Sequence, residues 1–203
     1  FQAYSNHRYD TGDYKRIDPL LGCEEDFRAL CSEAARRGMR VVLDGVFNHT
    51  GYDSRYFNAR GHYDSVGAFQ SKESPYFSWF DFHNWSNEYG SWWGIYTLPQ
   101  VNETDGSYQD YIIEDEDSVV RRWLRLGASG WRLDVADELF GLLAREIALV
   151  RVDTHVDGQV VARVFDDRVA CRGLPRFRLV YDADRLGRAL GRLRLLHGGH
   201  VDD

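Results

Sequence analysis

Hydrophobic and polar positions follow the same order twice along the chain, first at helical spacing and then as a short apolar run. Residues 24–37 begin with acidic side chains and end with arginines, and they predict a helix closed by Gly38. The apolar run at residues 41–43 is typical of a buried parallel strand. A second predicted helix opens with acidic residues 114–117 and leads to a predicted strand at residues 130–134.

These two helix–strand units predict an α/β fold. The apolar face predicted for the first helix comprises Phe27, Leu30, Cys31, Ala34 and Ala35. Helices that alternate with strands in this way occur in α/β barrels and in doubly wound sheets, where active sites lie at the carboxyl ends of the strands. The polar residues that end each predicted strand are therefore candidates for chemistry.

A long insertion separates the two units. Residues 51–113 hold 17 of the 29 aromatic residues of the chain, together with many small polar side chains. An insertion of this length in a compact domain is usually functional or a small subdomain. Aromatic faces beside polar groups suit sugar rings, whereas for any single ring a local aromatic core is the alternative interpretation.

The overall composition restricts the class of protein and of partner. With 43% hydrophobic and 28% charged residues, the chain has the composition of a soluble globular protein. Its net charge of -7 and its lack of a basic run argue against nucleic acid or a membrane surface, so a neutral ligand is expected. Cys23 and Cys31 are too far apart on a helix for a disulfide, which is compatible with a cytoplasmic location.

Candidate chemistry follows both predicted strands. Side chains alternate along a strand, so Arg132 and Asp134 share one face, where the guanidinium would keep the carboxylate ionised as a nucleophile requires. A purely structural ion pair is the alternative. Asp44, Asn48 and His49 end the first strand, and their spacing leaves metal ligands, substrate hydrogen-bonders and a satisfied polar cluster all open.

Four motifs in order resemble those of one enzyme family. DGVFNH at residues 44–49 and GWRLDVADE at residues 130–138 resemble the first and second motifs of glycoside hydrolase family 13, the α-amylase superfamily. HRYD at residues 7–10 resembles the stretch that precedes them. SWWG followed by LPQVN, which ends at Asn102, resembles the extra motif of the neopullulanase, cyclomaltodextrinase and maltogenic amylase subgroup. The resemblance covers residues 1 to about 140.

The resemblance implies a fold and an activity. Residues 1–140 would form a partial catalytic domain, an incomplete (β/α)8 TIM barrel that contains the third and fourth strands. Residues 51 to about 105 would be the subdomain inserted after the third strand. The implied activity is that of a retaining glycosidase that hydrolyses or transfers α-1,4 or α-1,6 glucosidic bonds in maltodextrins, cyclodextrins, pullulan or starch. The expected partner is an α-glucan, and the parent enzyme would form a homodimer, as subgroup members often do.

The resemblance also implies a role for individual residues. Asp134 would be the nucleophile, Arg132 would hold it ionised, and Asp44 would be the structural partner of that arginine. Two residues, His49 and Tyr9, would bind the sugar in the cleaved subsite by hydrogen bonding and by stacking. No cofactor is required, but calcium is bound by some members. The remaining assignments are Asn48 as a candidate calcium ligand, and Asp137 and Glu138 at the acceptor side.

The sequence departs from the family pattern after residue 140. A retaining glycosidase needs a second carboxyl group as general acid/base, and the only glutamate after Glu138 is Glu146, which lies too early for that role. Residues 141–203 hold eleven arginines and no lysine, serine, asparagine or tryptophan. This tail has no assigned element and suggests an out-of-frame or chimeric terminus, with a divergent extension as the alternative.

We therefore expect the chain to be a fragment that lacks its true N-terminus, folds poorly by itself and has no glucan-hydrolysing activity. A catalytically inactive carbohydrate-binding relative is the second hypothesis. A third is an unrelated metal-dependent α/β hydrolase that uses Asp44 and His49.

Overall fold

The computed structural model describes residues 1–135 and the backbone of residues 151–152 and 160–161. Asp137, Glu138 and most of the tail, for which the sequence makes predictions, lie outside the described residues. The elements in chain order are β1 (Gln2–Ala3), β2 (Thr11–Asp13), α1 (Glu24–Arg36), β3 (Val42–Gly45), β4 (Phe82–Asn84), β5 (Glu88–Tyr89), α2 (Gly106–Gln109), α3 (Val119–Arg125), β6 (Gly130–Leu133), β7 (Arg151–Val152) and β8 (Val160–Val161).

The two predicted strands lie side by side. β3 and β6 pair in parallel, with Asp44 opposite Arg132. Trp131 and Leu133 on β6 are almost fully buried, while Arg132 between them is only partly buried. The predicted alternation is therefore correct, and it turns the polar side chains of both strands to one side because successive residues of a strand face opposite ways.

The prediction that the first strand is buried is wrong in part. Val42 is 37% exposed, and full burial begins only at Gly45. Among the described residues, β3 pairs with β6 alone. One edge of β3 therefore has no neighbouring strand within residues 1–135, and burial of a parallel strand depends on cover from both sides.

Helix α1 confirms the predicted helix within one residue, but not its whole apolar face. Cys31 and Ala34 are buried, whereas Leu30 and Ala35 are exposed. Phe27 packs edge-on against Trp123 of α3, at 5.2 Å between ring centroids. The buried stripe is therefore narrower than predicted, because α1 packs in the described structure along one line facing α3.

Helix α3 begins later than predicted. Ser118 is its N-cap and accepts a hydrogen bond from the backbone N–H of Arg121, so the helix starts at Val119. A π-helical turn precedes it, closed by the bond from the Asp115 N–H to the Asp110 carbonyl at 2.9 Å. The acidic residues that were predicted to open the helix lie before the cap, because serine satisfies a free N–H of the first turn directly.

The inserted segment has little regular structure and a core of aromatic rings. It contains the hairpin β4–β5 and two single-turn 3-10 helices, Phe77–Trp79 and Trp92–Gly94. Phe57 is fully buried, and its ring centroid lies 4.8 Å from that of Tyr89 and 4.9 Å from that of Phe80. Most rings of the insertion thus form a local core, while Trp93 and Tyr96 remain exposed.

Candidate active site

Arg132 brings the two strand-end carboxylates together. Its Nη1 donates hydrogen bonds to both Asp44 oxygens at 2.6 and 2.7 Å, and its Nη2 lies 3.3 Å from Asp134 Oδ1. Asp134 follows β6 directly, and its backbone N–H continues the ladder to the Gly45 carbonyl at 3.1 Å. The guanidinium therefore holds the two carboxylate groups on either side of one positive charge. We call these three residues the carboxylate–arginine cluster.

Tyr9 lies at the edge of this cluster. Its phenol donates a long hydrogen bond of 3.4 Å to Asp44 Oδ2, and its ring is 36% exposed. The Asp44 carboxylate and partial burial raise the pKa of Tyr9 above its ordinary value, against the opposing effect of Arg132. The phenol therefore stays protonated and can donate a hydrogen bond. The structure thus brings Tyr9 next to the residues with which the motifs associate it.

His49 lies beneath Tyr9 and is almost fully buried. Its Nε2 is 3.1 Å from the Tyr9 carbonyl oxygen, so Nε2 carries the proton and donates it. Its ring stacks on Trp92 with 5.0 Å between centroids. In this structure His49 holds the backbone of Tyr9 in place. Its predicted hydrogen bond to a sugar stays a prediction.

Two buried tyrosines shape the loop that carries His49. The Tyr14 hydroxyl lies 2.6 Å from the Val46 carbonyl and 3.0 Å from the His49 carbonyl. The Tyr108 hydroxyl donates to the Phe47 carbonyl at 2.7 Å. Burial raises the pKa of both phenols, so both remain donors. Hydrogen bonds from hydroxyl groups in the core therefore fix the backbone of the loop after β3.

The motif at residues 98–102 runs beside this same loop. The Thr50 N–H donates to the Pro99 carbonyl and the Val101 N–H donates to the Asn48 carbonyl, both at 3.1 Å. His49 and Gln100 form an antiparallel bridge. Segments that are 50 residues apart in the sequence thus form one wall of the site.

Comparison with known proteins identifies the family of this fold and site. The catalytic domain of alpha amylase matches residues 1–157 of the chain. The chain belongs to the α-amylase family. This confirms the resemblance to glycoside hydrolase family 13, and the family match extends beyond residue 140.

Three relatives illustrate the match. An amylopullulanase from Thermoanaerobacterium thermosulfurigenes is 42% identical over 157 residues, which cover 68% of this chain and 8% of that enzyme. The intracellular maltogenic amylase of Bacillus subtilis is 33% identical over 168 residues, which cover 79% of this chain and 27% of that enzyme. The structure of cyclic α-maltosyl-(1→6)-maltose hydrolase from Arthrobacter globiformis, in complex with that sugar, matches with a TM-score of 0.63 and 33% identity. The match covers 72% of this chain and 32% of that protein.

The chain therefore spans between 8% and 32% of the length of these three proteins. The parallel pair β3–β6 with its preceding helices is consistent with part of the (β/α)8 barrel of the family. No helix within residues 1–135 has the length and apolar character needed to span a bilayer.

Calcium binding in this α-amylase family domain stays a prediction. Asn48 is 2% exposed, and neither polar atom of its side chain has a hydrogen-bond partner in the structure. Calcium binds 6–8 oxygen ligands, and the Asn48 side chain supplies only one amide oxygen. The described residues contain no group of three His, Cys, Asp or Glu side chains placed to hold a metal.

The sequence did not single out the neighbours that orient the site residues. Trp92 was one of many aromatic residues, and only the fold places it against His49. The contact between Tyr14 and the loop joins residues more than 30 positions apart. The motif at residues 91–94 was the available signal for Trp92, but a motif shows the presence of a residue and not its contacts.

Proposed function

We propose that this domain carries the nucleophile side of the active site of a retaining α-glucan glycosidase, with Asp134 as the nucleophile. The observation that carries the proposal is Arg132, which is held between Asp44 and Asp134 at the ends of two parallel strands. An ionised carboxylate attacks the anomeric carbon in a retaining reaction. Arg132 favours that ionised form and orients the carboxylate.

Asp44 is unsuited to act as the nucleophile or as the acid. Both of its oxygens accept hydrogen bonds from Arg132 Nη1, so the carboxylate is turned toward the arginine and both oxygens are engaged. Asp44 therefore positions Arg132, and Asp134 is left as the carboxylate that meets the substrate.

The names of the relatives support the proposed substrate class. They are named amylopullulanase, intracellular maltogenic amylase and cyclic α-maltosyl-(1→6)-maltose hydrolase, and each name refers to a sugar built from α-linked glucose. We extend this class to the present chain, with α-1,4 or α-1,6 bonds as the bonds cleaved. In this proposal Tyr9 stacks on the sugar ring in the cleaved subsite and His49 hydrogen-bonds that sugar. The acceptor-side roles of Asp137 and Glu138 stay predictions, because both residues lie outside the described part of the chain.

The test uses a substrate that needs no general acid. In an α-glucosyl fluoride with a second fluorine at ring carbon 5, an Asp134 oxygen bonds to C1 while the C1–F bond breaks and fluoride leaves with the bonding electrons. Intact-mass measurement should show one added fluoroglucosyl group on the 203-residue chain. Peptide mapping should place this group on Asp134.

Matched variants make the result specific. Asp134→Asn should remain unlabelled, whereas Asp81→Asn, a change at an exposed carboxylate outside the site, should be labelled like the unmodified chain. A label on another carboxylate would overturn the nucleophile assignment. Absence of any label, with maltooligosaccharide binding detected by NMR, would instead support the inactive carbohydrate-binding relative.

A further inference from the structure

Trp93 is an exposed tryptophan linked to the site through stacked rings. It is 76% exposed, the largest value of any Phe, Tyr or Trp within residues 1–135. Its ring stacks on Trp92 with 5.0 Å between centroids and 20° between planes, and Trp92 stacks on His49 with the same values. We call His49, Trp92 and Trp93 the ring stack. It runs from the buried histidine beneath Tyr9 to the surface.

The loop that presents Trp93 is closed at its base by backbone hydrogen bonds. The Trp92 N–H donates to the Leu98 carbonyl at 2.9 Å, and Ser91 and Pro99 form an antiparallel bridge. The Tyr52 N–H donates to the Thr97 carbonyl at 2.9 Å, which ties the loop to the segment after His49. The exposed ring is thus held at a defined position relative to the site.

The backbone at Trp93 has an unusual conformation for a bulky residue. Its φ of 52° and ψ of 26° lie in the left-handed region, and Gly94 follows with a φ of 73°. A side chain in this region strains the backbone, whereas glycine adopts it freely. A largely exposed ring offsets little of that strain by burial. Such residues cluster at functional positions.

We infer that the outer face of Trp93 is a stacking platform for a glucose unit beyond the one bound at Tyr9, in α-linked chains of three or more units. The C–H face of a glucopyranose is apolar and matches the face of an indole ring. Trp93 is separated by the single ring of Trp92 from His49, which bonds the Tyr9 carbonyl, so the exposed ring lies close to the cleaved subsite. This inference rests on the proposed function and adds a residue that selects for chain length.

The test compares Trp93→Gly with Ile95→Ala by calorimetric titration with maltose, maltotriose, maltotetraose and maltohexaose. Trp93→Gly removes the ring and suits the left-handed backbone, so its thermal midpoint should not fall. Its affinity for maltotetraose and maltohexaose should fall about tenfold, as expected for the loss of one stacking contact, with a smaller change for maltose. Trp93→Phe should retain part of the affinity.

Ile95→Ala is the matched control, since Ile95 is an exposed apolar residue of the same loop without a ring. It should bind all four sugars like the unmodified chain. Equal affinities of Trp93→Gly and the unmodified chain at every length would overturn the inference, while labelling of Asp134 would leave the proposed function intact. Failure of the unmodified chain to bind any of the sugars or to be labelled would overturn both.

Discussion

At the scale of single residues, one arginine orients both carboxylates of the site. Arg132 contacts both carboxylates of the carboxylate–arginine cluster, and Tyr9 adds a hydrogen bond to Asp44 on the other side. A lysine would not reproduce this arrangement, because its ammonium lacks the planar fork that reaches two carboxylates at once. The orientation of each carboxylate therefore depends on the other, because both are held by Arg132.

The link between Asp44 and Tyr9 predicts a shift in titration. The Asp44 charge is the main cause of the raised pKa of Tyr9. Asp44→Asn removes that charge and leaves Arg132, which lowers the pKa of Tyr9, so we expect the pKa to fall. Carbon-13 NMR of protein labelled at tyrosine Cζ measures this value, and Tyr9→Phe identifies the signal. An unchanged titration in Asp44→Asn would contradict the contact.

At the scale of elements, the close approach of β3, β6 and the following loop sets the alignment of the cluster. A Cβ built on Gly45 would lie 2.5 Å from Phe47 Cε2 and 3.2 Å from Leu133 Cδ2. Phe47 is fully buried and packs on Trp131, at 5.4 Å between ring centroids. The end of β3 therefore has room for glycine alone, and it lies next to Asp44.

Gly45→Ala should consequently destabilise the fold. An added methyl group at this position forces Phe47 or Leu133 to move, and overpacking of this kind typically lowers the free energy of unfolding by about 1–3 kcal/mol. Gly106→Ala is the control, because no heavy atom lies within 4 Å of a Cβ there. Urea denaturation followed by tryptophan fluorescence compares the two variants. A loss no larger for Gly45→Ala than for Gly106→Ala would show that the contact relaxes freely.

At the scale of the whole molecule, buried phenols join the insertion to the strands. Tyr14, Tyr56 and Tyr108 are fully buried. Burial raises the pKa of each phenol above its ordinary value. Tyr14 and Tyr108 also donate to carbonyl groups of the loop after β3. The site is therefore supported by groups that must remain protonated.

This arrangement predicts loss of stability at alkaline pH. Above pH about 10 the tyrosines lose protons in the unfolded chain but keep them in the folded one, so the unfolded state binds fewer protons. The free energy of unfolding then falls by up to about 1.4 kcal/mol per pH unit for each tyrosine, until the pH passes the folded-state pKa. Urea denaturation between pH 8 and pH 11 measures the slope.

Tyr108→Phe provides the comparison for the alkaline slope. It removes one of the phenols with a raised pKa, so its stability should fall less steeply with pH than that of the unmodified chain. Its stability at pH 8 should be lower, because the Phe47 carbonyl loses its donor. Parallel slopes for the two proteins would show that Tyr108 does not contribute.

Much of the fold and site could be predicted from local patterns. The spacing of apolar residues predicted α1 and both strands, and alternation on β6 predicted that Arg132 and Asp134 share a face. The predicted start of α3 was too early. Acidic residues and serine both favour the N-terminus of a helix, and the sequence pattern does not show which of them is the N-cap. Leu30 and Ala35 were assigned to the core because periodicity shows which residues share a face, but not how wide the neighbouring surface is.

By itself the sequence determined the family, the two helix–strand units and the identity of the candidate nucleophile, since these depend on neighbouring residues and on motifs. Only the tertiary structure decided that one nitrogen of Arg132 bonds both oxygens of Asp44, that His49 bonds the Tyr9 carbonyl, and that the ring of Trp92 stacks on His49. Those contacts join segments about 40 to 90 positions apart. They arise from strand pairing and core packing, which bring distant segments together only when the chain folds.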